Sequence, residues 1–357
     1  MKAHCFAALI VAASLIGCTT TPLLKSSPSS VSVMAYNVEN LFDTKQDADR
    51  DDSTFLPLSF KKGNKVHQLT CEQIDNAYYR KECLETDWND DILALKLKRL
   101  RDTILQIEGI GPDILMMEEV ENIHVLHQLN ESVPEAHYQT EVLIEGDDRR
   151  GIDVALLSRL PLAGEPQLHR IEFTPDPQDP KWKAPLTRGI LQVPLKLPNG
   201  DKLTVLGFHW PSQGAPVQER IDAVNSLNKI LDSLPPDEMV LSAGDSNITV
   251  KEDFKNGLQS KMLASHWQVS HLIGCKECLG THYYHGEWSF LDIMLFSKAL
   301  SESGKGSYRL RPESIQLPQN GKYQLHIDGT PARFDEKKSV GVSDHLPLYG
   351  ELDLRSL

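Results

Sequence analysis

Apolar residues recur along this chain in two rhythms. Short runs of aliphatic and β-branched side chains, VSVMAY (31–36), DILMM (113–117), VALLS (154–158), ILQVPLKL (190–197), LTVLGF (203–208), MVLSAG (239–244), FLDIMLF (290–296) and LPLYGEL (346–352), have the length and alternation of strands. Between them, DDILALKLKRLRDTILQI (90–107) spaces Leu93, Leu97, Leu100, Ile104 and Ile107 by three and four residues, which predicts an amphipathic helix. Asp90 and Asp91 suit its N-terminus, where the helix dipole favours negative charge, and Gly109 with Gly111-Pro112 stops it. Further helices are expected over 120–129 and 218–231. LPNGDKL (197–203) reads as a hairpin step. Such steps, mixed with strand–helix alternation, point to an α/β domain with both parallel and antiparallel pairs. No period of about 20 to 50 residues repeats, which argues against a solenoid or propeller. One large domain is expected over 31–357, interrupted by an irregular acidic insert at about 43–87.

The chain's beginning has a different character. MKAHCFAALIVAASLIG (1–17) joins a single Lys2 to an apolar stretch too short to span a bilayer, the build of a secretory signal. Leu15-Ile16-Gly17-Cys18 resembles the bacterial lipobox, in which the Cys carries the lipid. The Ser-, Thr- and Pro-rich segment 18–30 then reads as a flexible tether. The expectation is an exported lipoprotein anchored through Cys18, with Thr19 pointing to the outer membrane of a Gram-negative cell; an ordinary cleaved signal is the alternative. The whole chain of 357 residues is 40% hydrophobic and 24% charged, an ordinary globular composition and not that of a disordered chain. A net charge of −13 excludes capture of a polyanion by global charge alone, so such a substrate needs a cation and local basic groups.

Export bears on the cysteines. Beyond Cys5 and Cys18, four remain: Cys71, Cys83, Cys275 and Cys278. In an oxidising compartment an even set favours disulfides, with local pairing, Cys71 to Cys83 and Cys275 to Cys278, the first choice. A zinc site built on the Cys275-x-x-Cys278 spacing, completed by Cys71 and Cys83 or by His282 and His285, stays open. In the acidic insert, Asp47, Asp49 and Asp51 alternate as in a calcium loop, but Asp52 stands where such a loop needs Gly and Leu58 where it needs Glu. That stretch therefore reads as a solvated loop, with a cation there as the weaker reading.

Several apolar runs finish on polar residues: VSVMAY on Asn37, DILMM on Glu118-Glu119, LTVLGF on His209, and MVLSAG on Asp245-Ser246-Asn247. Taken singly, Asn and Asp at a strand end are ordinary turn residues. Together they occupy the places where α/β proteins gather their site loops. Asp292 lies inside an apolar run, where an ionised carboxylate needs a partner. His345, at the head of the last strand, is the natural one: an acid that fixes an imidazole tautomer makes a general base. Nucleophile elbows, zinc-protease helices and phosphate loops are absent from the sequence, and His124 and His127 read as a surface pair.

The stretches AYNVENLF (35–42), PDILMMEEVEN (112–122), RRGIDVALLSR (149–159), GFHWPSQG (207–214), SAGDSNI (242–248), WSFLDIMLFS (288–297) and VSDHLPL (342–348) resemble, in order, the motifs of the DNase I-like endonuclease/exonuclease/phosphatase superfamily. The resemblance implies a four-layer α/β sandwich, two packed mixed β-sheets flanked by helices. It implies a metal site at Glu119 and Asn37, with Glu118 standing where the family often has Gln. Asp245 and Asn247 would position water and phosphate, Asp292 and His345 would be the acid and base pair, Asp344 would lie beside the metal or phosphate, and His209 would bind phosphate or assist the leaving group. Arg150 and Arg188 are weaker phosphate-binding candidates. The cofactor implied is Mg²⁺, with Mn²⁺ or Ca²⁺ as alternatives. The expected function is an exported, metal-dependent phosphoesterase, first a nuclease acting on nucleic acid as a monomer. The runner-up is a phospholipid, sphingomyelin or inositol-phosphate hydrolase, for which HYYHGEW (282–288) would be a membrane-docking hairpin rather than sheet-edge packing.

Overall fold

The computed structural model describes residues 29–356. The signal, the lipobox, Cys18 and nearly all of the tether lie outside the described residues. Fourteen strands, numbered in chain order, are described: β1 (Ser30–Leu41), β2 (Ile114–Val120), β3 (Thr140–Leu143), β4 (Asp153–Ser158), β5 (Gln167–His169), β6 (Ile190–Lys196), β7 (Lys202–His209), β8 (Met239–Asp245), β9 (Gln268–Val269), β10 (His282–Tyr284), β11 (Glu287–Ser289), β12 (Asp292–Phe296), β13 (Tyr308–Gln316) and β14 (Leu348–Leu354). They form two six-stranded sheets, ordered β13-β14-β1-β2-β4-β3 and β5-β6-β7-β8-β12-β9, and the separate hairpin β10-β11. Each large sheet is mixed. β1 runs parallel to β2, β7 runs parallel to β8, and their other neighbours are antiparallel.

Side-chain alternation explains how the sheets stack. Val31, Val33 and Ala35 of β1, Ile114 and Met116 of β2, Leu203 and Val205 of β7, Met239, Leu241 and Ala243 of β8, and Met294 and Phe296 of β12 share one core between the sheets. Their neighbours of opposite parity face helices. Met34, Tyr36, Leu115 and Met117 pack with Leu93, Leu100 and Ile104 of one helix and Val125, Leu126 and Leu129 of another. Leu206, Phe208, Val240 and Ile293 pack with Ala223, Val224 and Leu227 on the opposite side. The result is the expected four-layer sandwich. At Gly207 the sheets come so close that a Cβ would lie 2.4 Å from the Met116 sulfur.

The helices corrected some readings. The insert at 43–87 holds three short helices, α1 (Leu58–Lys61), α2 (Lys65–Glu72) and α3 (Ala77–Glu85), where an irregular segment was expected. Asn64 and Asn76 start α2 and α3 by accepting backbone N–H groups, a capping signal legible in sequence. Helix α4 (Asp90–Ile104) is capped by Asn89 and ends a turn before the predicted Ile107; α5 (Ile123–Ser132) begins only after its cap Asn122, and α6 (Val217–Ser233) closely matches expectation. The buried face of α4 also carries Lys96 and Arg99. Lys96 donates to the Glu39 and Val342 carbonyls, and Arg99 to the carbonyls of Asp335, Lys338 and Gly341, so the helix pins the chain ends that flank the site.

The cysteines pair locally, Cys71 with Cys83 and Cys275 with Cys278. With all four sulfurs in disulfides, the alternative zinc site is ruled out, because a zinc ligand must be a free thiolate. HYYHGEW is neither sheet-edge packing nor part of a large sheet: it is the hairpin β10-β11, turned through His285 and Gly286, both at positive φ.

Candidate active site

The inward-facing register runs out at one end of the sandwich, and there it changes from apolar to polar. Two residues beyond Ala35 stands Asn37, two beyond Met116 stands Glu118, two beyond Gly207 stands His209, two beyond Ala243 stands Asp245, and two before Met294 stands Asp292. Because β12 runs antiparallel to β8, its first residue meets the last residue of β8, so Asp292 is paired with Asp245; His209 is paired with Asp245 from the other side. The site thus lies where the inter-sheet core ends, and one alternation pattern delivers most of its residues.

Glu119 is an exception. By alternation it would face outward. It instead has φ 65°, and the pairing of β2 slips there against both β1 and β4, a bulge that turns its carboxylate toward the site. Its oxygens accept from Asn37 Nδ2 at 3.3 Å and from the Asn40 backbone N–H at 3.0 Å. Glu39 (50°), Asn40 (54°) and Asn247 (52°) are also at positive φ, a conformation side-chain-bearing residues adopt sparingly and that is here gathered around one site.

Asp245 is the hub. Its carboxylate accepts from Asn37 Nδ2 at 3.1 Å and from the Asn247 backbone N–H at 2.7 Å, and lies 3.5 Å from His209 Nε2 and 4.0 Å from His345 Nε2. Burial pushes its pKa up to about 7, with Asp292 adding to the effect against the pull of His345. Asn247 Nδ2 donates to the Trp210 carbonyl, which fixes the amide beside the hub. His345 Nδ1 lies 2.7 Å from Asp292 Oδ2, and Asp292 is fully buried. Burial works against a charged ring, but Asp292, and beyond it Asp245 and Asp344, hold the His345 imidazolium well above the ordinary histidine range. With Nδ1 tied to Asp292, Nε2 faces the site, 4.0 Å from Asp344 Oδ1. Burial opposes ionisation of Asp344 as well, yet His345 and Arg333 keep it below the usual carboxylate range. His209 is kept neutral, well below its ordinary pKa, by burial and then by Arg188 and Arg150.

The expected residues Asn37, Glu119, His209, Asp245, Asn247, Asp292, Asp344 and His345 are therefore brought together. The arginines are close but otherwise engaged. Arg188 is buried and pairs with Asp148 at 3.2 Å, and Arg150 forks onto the same carboxylate at 3.0 and 3.3 Å. The bidentate geometry expected to clamp phosphate is directed internally, so the pair forms a charged wall instead.

Two further side chains stand in the site: Glu118, read from the sequence as standing where the family often has Gln, and His282, read only as a zinc-ligand or hairpin residue. Glu118 is wholly buried, neither of its oxygens has a hydrogen-bond partner, and burial followed by repulsion from Asp292 and Asp245 raises its pKa well above the carboxylate range. The His282 ring lies 4.8 Å from that of His345, and the backbones of the two residues form an antiparallel bridge. Burial, then the neighbouring His345, pushes His282 down to about 4. No run of neighbouring acids signalled His282 in the sequence; only the bridge to His345 reveals it.

The sequence model of the Endonuclease/Exonuclease/phosphatase family matches residues 64–354. The chain belongs to this family. Its members hydrolyse phosphoester bonds and generally use divalent metal ions. Among solved structures, an endonuclease/exonuclease/phosphatase family protein from Bacteroides thetaiotaomicron is similar over 93% of this chain and 100% of its own, with 16% identity and a TM-score of 0.54. D. rerio TDP2 complexed with single strand DNA product matches at 15% identity over 91% and 99% of the two chains, TM-score 0.52. A mannosyl-6-phosphatase from Bacteroides thetaiotaomicron matches at 16% identity over 90% and 99%, TM-score 0.53. These likenesses establish the fold. No curated protein matches the sequence.

The residues present suit the divalent ion the family uses. Glu119 and Asp344 offer carboxylate oxygens, the preference of a hard cation; Asn37, expected as a second ligand, instead turns Nδ2 to Glu119 and Asp245 and gives its oxygen to the Glu39 N–H. Several acids crowd one buried site, and the orphaned oxygens of Glu118 mark an excess of negative charge that a dication would relieve.

Proposed function

We propose that this chain is an exported, membrane-anchored, divalent-metal-dependent phosphodiesterase, with nucleic acid as its substrate. The observation that carries the chemistry is the buried Asp292–His345 pair at 2.7 Å, whose free Nε2 faces Asp245 in a site rimmed by Glu119 and Asn37. In this reading Glu119 would hold Mg²⁺, with Asn37 orienting its carboxylate through Nδ2, and the bound ion would supply polarisation of the phosphoryl oxygen and relief of its charge. Asp292 fixes the His345 tautomer, and Nε2 receives the proton of the attacking water. Asp245 and the Asn247 amide orient that water and the phosphate. Neutral His209, backed by Arg188 and Arg150, offers a donor to a phosphate oxygen without bringing another fixed charge into the buried site. On this reading the site supplies a positioned base, groups to orient the nucleophile and donors to the phosphate, the parts that hydrolysis of a phosphodiester requires.

Support for nucleic acid over a lipid comes from the hairpin. It turns through His285-Gly286 next to the catalytic His345 and exposes Tyr283 and Tyr284, aromatic faces of the kind on which unpaired bases stack. The test is to incubate the purified protein with plasmid DNA, single-stranded DNA, RNA, sphingomyelin and inositol phosphates, each with Mg²⁺, Ca²⁺ or EDTA. Metal-dependent cleavage of nucleic acid, lost in His345→Ala, is the expected result. Turnover confined to lipid or inositol phosphate would replace the substrate class, and full metal-dependent activity in His345→Ala would overturn the mechanism.

A further inference from the structure

Arg150 and Arg188, the arginines expected to meet phosphate, are both committed to Asp148. A third arginine at the mouth of the site is not. Arg333 Nε donates to Glu39 Oε1 at 2.6 Å, and the Phe334 backbone N–H donates to the other oxygen of the same carboxylate at 2.9 Å. Glu39 is buried, whereas the Arg333 side chain is 67% exposed. The backbone beside it is fixed as well, because Ala332 donates to the Gln324 carbonyl and accepts from the Val342 N–H. The guanidinium is therefore anchored at its inner nitrogen and turns its outer fork to solvent. Neither terminal nitrogen makes a hydrogen bond to a described residue; Nη1 lies 3.7 Å from Asp344 Oδ2.

The insert frames that free fork. Near its start the Asp51 N–H donates to the Arg149 carbonyl, and directly after its end Trp88 sets its ring 5.8 Å from that of Phe334. Between these attachments in the chain, and tied down by the Cys71–Cys83 disulfide, α3 opens with Tyr78 and Tyr79. Their rings are 65% and 59% exposed, with centroids 5.5 Å apart. Tyr78 feels the charge of Arg333 and Arg150 that of Tyr79, so the two rings span the rim from one arginine to the other.

We propose that Arg333 and the Tyr78–Tyr79 pair form a subsite for one unpaired nucleotide beside the bond that is cut, the guanidinium holding its phosphate and a tyrosine ring stacking on its base. The inference rests on the nucleic-acid reading above and narrows it to single strands. The phosphate concerned adjoins the scissile one, because Asp344 stands between the two places: its Oδ2 faces Arg333, while its Oδ1 faces His345 Nε2, where water is activated. A free guanidinium fork matches a pair of phosphate oxygens, and in a chain of net charge −13 a polyanion has to be held by such local groups. Stacking on an exposed ring requires a base that has left its own stack, which a single strand offers and a duplex does not. A lipid head group supplies a phosphate but no base for the tyrosines.

The test is steady-state cleavage of oligothymidylate, alone or paired with oligoadenylate, by the full chain with Mg²⁺ at several NaCl concentrations. The wild type should prefer the single strand about tenfold or more in kcat/KM. Arg333→Gln should raise KM for the single strand about tenfold and keep kcat within about threefold of wild type. It should also flatten the plot of log(kcat/KM) against log[NaCl] by about 0.7, the share of one phosphate contact on a single strand, which a merely structural arginine would not do. Tyr78→Ala/Tyr79→Ala should raise KM about fivefold or more, abolish the preference for single strands and leave the salt slope as it was. Both rings are exposed, so this variant should melt as the wild type does, and it carries the test if loss of the Glu39 partner unfolds Arg333→Gln. Wild-type KM and salt slope in Arg333→Gln, a loss confined to kcat, or an undiminished strand preference without the tyrosines overturns the subsite and leaves the phosphodiesterase reading standing. Failure of the wild type to cleave either nucleic acid overturns that reading and the subsite with it.

Discussion

Replacing Asp292 with Asn probes the pair on which the chemistry rests while conserving shape. The bond to His345 is 2.7 Å long, Asp292 is fully buried and His345 is 7% exposed, so solvent screens little of the interaction. Breaking a buried, hydrogen-bonded charge pair by removing one partner costs about 3–5 kcal/mol. Asparagine keeps a carbonyl that can still accept from Nδ1, so the lower end, about 3 kcal/mol, is expected. If that interaction orients and charges the ring in the transition state, the loss corresponds to about 10²-fold in kcat. The phosphate donors are untouched, so KM should stay within about threefold of wild type, the pattern of an interaction made in the transition state. Steady-state kinetics on the phosphodiester the wild type cleaves measure both constants, and near-UV circular dichroism checks the fold. A second comparison removes ambiguity: if Asp292 acts through His345, the double variant Asp292→Asn/His345→Ala should be no slower than His345→Ala alone. A kcat within threefold of wild type, or losses that multiply in the double variant, would refute the assignment of Asp292 as the residue that positions His345.

Three further outcomes follow from the same geometry. Glu119→Gln removes the main charged donor of the proposed cation, so the metal concentration for half-maximal rate should rise at least tenfold, read from a Mg²⁺ titration; an unchanged value would assign the cation elsewhere. Asp245 and Asp153, both raised to about 7, Glu121, raised to about 9, and His345, raised well above its ordinary value, all bind protons more tightly folded than unfolded. Stability from each is full below its unfolded pKa and is lost as pH rises through the folded one, so the metal-free protein should melt lower at pH 8 than at pH 6.5, by scanning calorimetry in EDTA. The Cys71–Cys83 disulfide closes a loop with a sequence separation of 12 and joins α2 to α3. On the chain-entropy account its removal costs about 3 kcal/mol, so Cys71→Ser/Cys83→Ser should expose the insert to limited proteolysis before the sheets unfold.

The strands and their mixed pairing were legible in the alternation of apolar runs, hairpin steps and helices, whereas the four-layer sandwich came from the resemblance of the motifs. Strand ends such as Asn37, His209 and Asp245 could be read as one set because apolar runs stopped on them. Asp292 announced itself as a charge inside an apolar run. The parts that escaped reading depend on contacts between segments far apart in sequence. Glu119 points inward only because a bulge overrides its parity, so alternation would have selected Glu118; only the resemblance of the EEVEN stretch favoured Glu119. His282 reaches the site through a bridge to a residue 63 positions later. Lys96 and Arg99 sit on the buried stripe of α4, where a pattern of apolar spacing cannot anticipate cations that satisfy loop carbonyls. The insert looked structureless because its helices are short and polar, held by asparagine caps and one disulfide rather than by an apolar stripe.

The same observation links stability to the proposed activity. Along the inward register, each step from core to site replaces an apolar side chain with an acid, an amide or an imidazole, and the acids outnumber the cations that face them. Glu118 answers this excess by staying protonated, His345 by holding its proton, and Glu39, pushed up to about 6 by burial and Asp344, by leaning on Arg333 at 2.6 Å. A dication bound at Glu119 would make the potential at all three more positive and so lower their proton affinity. His345 would then give up its proton more readily, so the ion that polarises the phosphate would also release the base that activates water. The acid limb of the pH–rate profile should accordingly move to lower pH as metal concentration rises, a coupling that a histidine insulated from the metal site would not show.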